Sequence, residues 1–192
     1  MSDRFLEAKR RLDQLNAEDP NHTDGRPREL VQADWLSDWI EKLRPDASEA
    51  LRLAARAQHL MRWKVRRSDY EAGRTGYRLW RRAAMDFHAA ETRRVLESVG
   101  YDAETIDQVA RIVQKHGLRK NDEVQTMEDA LCLSFLQHDL AAFAEKHDDA
   151  KLVHILKETW NKMSELGRKE ALALVPALSP RLQQLIARAT TD

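Results

Sequence analysis

Apolar residues recur every third or fourth position through most of the chain: Phe5, Ala8, Leu12 and Leu15; Trp35, Trp39 and Leu43; Ile106, Val109, Ile112 and Val113; Leu152, Ile155, Leu156 and Trp160. That period puts one apolar stripe on each of several α-helices and leaves little room for the two-residue alternation of half-buried strands. Only six glycines and five prolines interrupt 192 residues, and Ala, Leu, Arg and Glu, all good helix formers, are abundant. The expected fold is all-α, a compact single-domain bundle of about eight helices spanning 1–192, with strands absent or trivial.

The breaks follow local chemistry. A helix over 3–16 ends before the turn-rich AEDPNHTDGRPRE. A second, 30–43, stops because Pro45 disfavours helical geometry at Arg44. The DAS sequence caps a central helix over 47–65. Gly73 and Gly76 mark a loop before a helix over 77–99 with Gly100 as its C-cap, and Gly117 ends a shorter helix whose last turn holds Lys115 and His116. Thr126-x-x-Asp129 reads as a capping box opening a helix over 126–144. A helix near 152–163 follows, and Ser179-Pro180 starts a last one over 180–189. The core is expected over 28–166, with the helices 3–16 and 180–189 packing on it.

Thirty-two basic and 32 acidic residues cancel, so the chain as a whole has no bulk attraction for nucleic acid or membrane. The single cysteine, Cys132, lies in the apolar run ALCLSFL, which excludes an internal disulfide and a cysteine-rich zinc site and favours a buried thiol in a reducing compartment. The amphipathic start lacks the apolar centre of a signal peptide, and no run reaches membrane-spanning length. A cytoplasmic protein without a membrane partner is expected.

Against this neutral background, residues 54–91 gather nine Arg or Lys, four Trp or Tyr and two His within 38 positions. A helical scaffold has no structural need for such a cluster, and binding of an anion, a phosphate above all, follows. On the helix after Gly76, helical spacing places Tyr77, Trp80, Ala84, Phe87, Glu91, Val95 and Val99 on one stripe, with His88 on the same face. A buried ionised carboxylate needs a cation, so Glu91 calls for an arginine, a histidine or a metal. Each polar residue also has a plain reading. Glu91 could sit in a structural ion pair, and His59 could be a hydrogen-bonded core residue. His116 suits the negative end of a helix, and Asp129 suits a cap. His138, Asp139, His147, Asp148, Asp149 and His154 read as solvated surface.

The order of His59, His88, His116 and Asp129 resembles the HD-domain metal-dependent phosphohydrolases, whose pattern is a lone His, a His-Asp doublet, a further His and a final Asp around one or two divalent ions. Ala89 stands where the doublet's Asp should be, and Glu91, one turn on, is the candidate replacement. At closer range AARAQHLMRW (54–63), the RSxY and RxGYxxWR elements around Arg67 and 74–81, FHAAE (87–91), VQTMEDALCLSFL (124–136) and TWNKMS (159–164) resemble the family called domain of unknown function 4202, over nearly the whole chain.

The HD resemblance implies a divalent transition metal (Mn, Fe, Co, Ni or Zn) on His59, His88, Glu91, His116 and Asp129, with Glu91, Asp129 and Lys115 as catalytic groups. Such a metal polarises a phosphoryl oxygen and activates water. Arg62, Arg66, Arg67, Arg74, Tyr77 and Arg81 would bind the substrate, a nucleotide or other phosphate ester, since guanidinium forks match phosphate oxygens and aromatic rings stack on bases. The alternative keeps the fold and drops the reaction: a non-catalytic module binding RNA, a nucleotide or an acidic partner through 62–82. A helical di-metal oxidase fits less well, because its Glu-x-x-His order on two helices is reversed here on one. Oligomeric state is left open.

Overall fold

Seven side-chain oxygens set where helices begin. Ser2, Ser48, Asp102, Asn121, Asp148, Ser164 and Ser179 each accept a backbone N–H from the first turn that follows, relieving donors that have no partner within the helix. The computed structural model describes residues 2–191. Among these residues it contains ten α-helices: α1 (Asp3–Asn16), α2 (Arg28–Leu43), α3 (Glu49–Ala57), α4 (Gly73–Ser98), α5 (Ala103–Val113), α6 (Asp122–Ser134), α7 (Leu140–Ala144), α8 (Asp149–Lys162), α9 (Glu165–Leu174) and α10 (Pro180–Thr190). The expected loop before α2 carries a two-stranded antiparallel ribbon, β1 (His22–Thr23) against β2 (Arg26–Pro27). Its turn residues, Asp24 and Gly25, both take the positive φ that such hairpins require.

Helix α2 packs on α3 and α6, α3 on α5, α5 on α4, and α8 on α10, while α1 lies across α3. Buried apolar side chains from Phe5 to Ala189 form one cluster, with Leu12, Leu36, Ile40, Leu51, Leu53, Leu60, Leu96, Ile112, Met127, Leu133, Leu140 and Leu152 nearly or wholly inaccessible. Arg56 is buried within this layer and is paired by Asp13 and Asp34. No helix among the described residues is long and apolar enough to cross a membrane.

Four features depart from the sequence expectation. Helix α4 starts at Gly73 rather than Tyr77, so Gly73 and Gly76 belong to its first turn and not to a loop. The central helix ends at Ala57 rather than near Val65, because Asn16 captures the chain at its exit. The Asn16 amide donates to the Arg56 carbonyl (3.0 Å) and its oxygen accepts the Met61 N–H (3.3 Å). Helix α6 starts at Asp122, capped by Asn121, so Thr126 and Asp129 lie inside it and form no capping box. Between α6 and α7 the helix widens into a π-segment, Phe135–Asp139. There His138 stacks on Trp35 with ring centroids 3.9 Å apart, so it is half-buried rather than a solvated surface residue.

Candidate functional site

The turn after α3, the first half of α4, the turn after α5, one face of α6 and the last turn of α8 enclose a cavity of about 280 Å³. Gln58, His59 and Arg62 come from the first turn, and Tyr77, Trp80, Arg81, Ala84, Met85 and His88 from α4. Lys115 closes one side, Glu128, Leu131, Cys132 and Phe135 the floor, and Thr159 and Lys162 the far wall.

Backbone geometry aims these side chains. Beyond α3 the chain reverses through Met61, which adopts a left-handed conformation (φ 54°). The reversal turns the Leu60 carbonyl toward α4, where it accepts the Nδ1–H of His88 at 2.7 Å. That hydrogen bond assigns the tautomer: Nε2 is left as the unprotonated acceptor of a ring that lines the cavity. The Gln58 amide ties the same turn to the Val113 carbonyl (3.1 Å), and the Trp80 indole N–H donates to the Val65 carbonyl (2.9 Å). With Trp80 held in this way, the Arg62 guanidinium lies 5.1 Å from its ring centroid.

Helix α5 ends in a Schellman turn, with Lys115 N–H on the Ile112 carbonyl and His116 N–H on the Arg111 carbonyl, both at 2.9 Å. Lys115 occupies the left-handed position (φ 59°) that glycine normally fills. Its amine pairs with Glu128 Oε2 at 2.6 Å. Burial pulls the Lys115 amine below its usual range, against the pull of Glu128. Burial also works to raise the Glu128 carboxyl, but Lys115, with Lys162 and Arg81 further off, holds it below the usual value.

The imidazoles are neutral at pH 7. Burial drives His88 down to about 4, with Arg62 adding to the effect and the Leu60 carbonyl opposing it. Burial, followed by Arg62, His88 and Lys115, takes His59 well below the ordinary histidine value. Behind His59, Glu29 is buried with Oε2 3.7 Å from the ring nitrogen Nδ1, beyond hydrogen-bond length, and that oxygen has no hydrogen-bond partner. Burial lifts its carboxyl to about 7, partly offset by Arg62. The Cys132 thiol is raised to about 12 by burial and by Glu128, which leaves it inert.

Of the residues singled out in the sequence, His59, His88, Arg62, Tyr77, Arg81 and Lys115 share this cavity. Others lie elsewhere. The buried stripe of α4 runs through Trp80, Ala84, His88, Thr92 and Leu96, rotated from the one the spacing suggested. Glu91 is thereby placed at the helix edge, where Arg94 neutralises it at 2.6 Å. Asp129 is buried but fully engaged. One oxygen accepts from Gln125 (3.0 Å) and the Ser164 N–H (2.9 Å), and the other from the Ser164 hydroxyl (2.6 Å), which locks the start of α9 onto α6. His116 is exposed, at the rim of an adjoining groove. Arg67 closes its own loop on the carbonyls of Tyr70 and Glu71, Arg66 faces Asp69, and Arg74 is exposed outside the cavity.

The expected ligands therefore do not make a metal centre. Only His59 and His88 face common space, their ring centroids 6.2 Å apart, and the carboxylates assigned to complete the set are satisfied by Arg94 and Ser164. Among the described residues no three His, Cys, Asp or Glu side chains are grouped to hold a metal ion.

Sequence reasoning missed Glu29 and Lys162. Glu29 falls on the stripe Glu29, Ala33, Leu36 and Ile40, the same spacing that drew attention to Glu91, and could have been found by it. Lys162 comes from a helix about 80 positions after Trp80, a convergence that no local pattern shows.

A family model described as Domain of unknown function (DUF4202) matches residues 6–186. No curated protein and no solved structure matches the chain.

Proposed function

Since the chain belongs to this family of domains of unknown function, its activity has to be read from the cavity, and we propose that the cavity binds the phosphate of a small phosphorylated molecule, a nucleotide being the favoured class. One observation carries this reading. Four cations, Arg62, Arg81, Lys115 and Lys162, line the space with a single carboxylate, Glu128, and that carboxylate is engaged by Lys115. Arg62, Arg81 and Lys162 form no salt bridge among the described residues, whereas 12 of the 22 arginines do. Like charges in a partly desolvated cavity repel one another unless an anion is present, so the arrangement is complete only with a ligand. Tyr77 and Trp80 supply apolar, stackable wall beside the cations, as a nucleoside needs and inorganic phosphate does not.

His88 Nε2, accepting and neutral, can take a hydrogen bond from a hydroxyl or from a protonated phosphate oxygen. Hydrolysis of the bound ester is the narrower form of the proposal. His59 and His88 support it by converging; Glu91 and Asp129 do not, and no step is assigned to a metal. A neutral, cysteine-poor chain also fits a cytoplasmic setting.

The test is calorimetric titration with a nucleoside, its monophosphate and inorganic phosphate. The monophosphate should bind at least tenfold more tightly than the nucleoside, and Arg81→Ala or Lys162→Ala should each weaken it about tenfold, the scale of one charge-assisted contact. Equal binding of nucleoside and monophosphate, or none of either, would overturn the proposal.

A further inference from the structure

A second, more open hollow of about 900 Å³ shares Tyr77, Arg81, Met85 and Lys115 with the first and runs outward along α4 past Arg78 and Arg82 to His116. Its chemistry continues that of the cavity. Arg78 forms no salt bridge among the described residues. Arg82 reaches Asp86 only at 3.9 Å, with both side chains largely exposed, and Asp86 also accepts from Gln114. Two of the large apolar side chains exposed on the molecule, Tyr77 and Leu79, stand on this same basic face, 46% and 58% accessible.

Arg78 and Arg82, both lining the hollow, lie four residues apart, so their backbone positions step by about 6 Å along the helix. That is the scale on which phosphates follow one another along an extended strand, and it would serve no purpose for a mononucleotide. A cavity of about 280 Å³ is too small for a double helix.

We propose that the cavity and the groove form one site for the end of a single-stranded nucleic acid. The terminal phosphate sits among Arg62, Arg81, Lys115 and Lys162, and the next phosphates run past Arg78 and Arg82, with Tyr77 as the platform for a base. The inference rests on the phosphate reading of the cavity and extends it outward. Base stacking and backbone charge are the two contributions known to hold single strands without regard to sequence.

The experiment compares uridine 5′-monophosphate with a hexauridylate phosphorylated at both ends, by calorimetry and by fluorescence anisotropy at several salt concentrations. The hexanucleotide should bind at least tenfold more tightly. The double variant Arg78→Ala/Arg82→Ala, at exposed positions that leave the core untouched, should reduce it to the affinity of the mononucleotide, leave the mononucleotide unchanged, and lower the salt slope by about 1.4 for two lost phosphate contacts. Arg81→Ala should weaken both ligands. A hexanucleotide that binds no more tightly than the mononucleotide, or one indifferent to the double variant, overturns the groove and leaves the phosphate cavity standing. Failure of both ligands to bind overturns the cavity reading as well.

Discussion

Gly167 lies against Asp129 so closely that a β-carbon would meet the carboxylate at 2.7 Å. Gly167→Ala should therefore cost about 1–3 kcal/mol, as overpacking does, although alanine is otherwise the better helix residue. Urea denaturation decides it, and an unchanged midpoint would contradict the structural role given to Asp129. Two buried groups set a pH dependence of opposite sign. His88, at about 4 when folded against 6.5 for the free side chain, contributes stability that is full above pH 6.5 and is lost as pH falls toward 4. Glu29, at about 7 against 4.5, contributes stability that is full below pH 4.5 and is lost as pH rises toward 7. The two slopes oppose one another in the native protein. Glu29→Gln removes the second, so the variant should lose stability more steeply than the native protein on acidification from pH 6.5 to 4. Parallel stability curves would show that Glu29 is an ordinary surface carboxylate.

Helix ends, more than helix interiors, place the chemistry. Lys115 takes a glycine position at the end of α5, where it lines the cavity, and Met61 reverses the chain after α3 so that the flanking His59 and Arg62 line it; both adopt a left-handed conformation. Such strain persists where surrounding contacts impose it. Lys115→Ala and Lys115→Gly both strand Glu128, but glycine removes the backbone strain, so the glycine variant should be the more stable by about 1 kcal/mol in thermal or urea unfolding. Equal stabilities would mean that the left-handed turn is not formed. Helix starts were legible at the DAS cap and at Ser179-Pro180, but not at Asn121, whose helix was expected to open at Thr126, nor at Ser164. The end of α3 was not legible either, because Asn16, some 40 positions earlier, decides it. Helix α9 escaped notice because its apolar positions are sparse and Gly167 interrupts them, while the features that fix it, Ser164 and Asp129, are joined only in three dimensions.

For the whole molecule, composition and period specified an all-α chain, and part of the basic-aromatic segment lines the cavity. His59, Arg62, Tyr77, Trp80, Arg81, His88 and Lys115 all meet there. The segment also overstated the site, since Arg66, Arg67 and Arg74 serve loop closure or face water. The metal set failed for a rotational reason: a turn of α4 by less than one residue moves Glu91 from the interior to the edge, and local spacing does not fix that angle to better than this. The carboxylates that do face the interior, Glu29 and Glu128, come from other helices. What distinguishes the cavity is electrostatic: four cations and one carboxylate line it, in a chain of zero formal net charge.

The most direct measurement is a crystal structure of the protein soaked with a nucleoside monophosphate. The phosphate should lie within hydrogen-bond distance of Arg81 and Lys162, with the base against Tyr77 or Trp80. Density for the nucleotide on another face, or a cavity filled by water alone at saturating ligand, would contradict it.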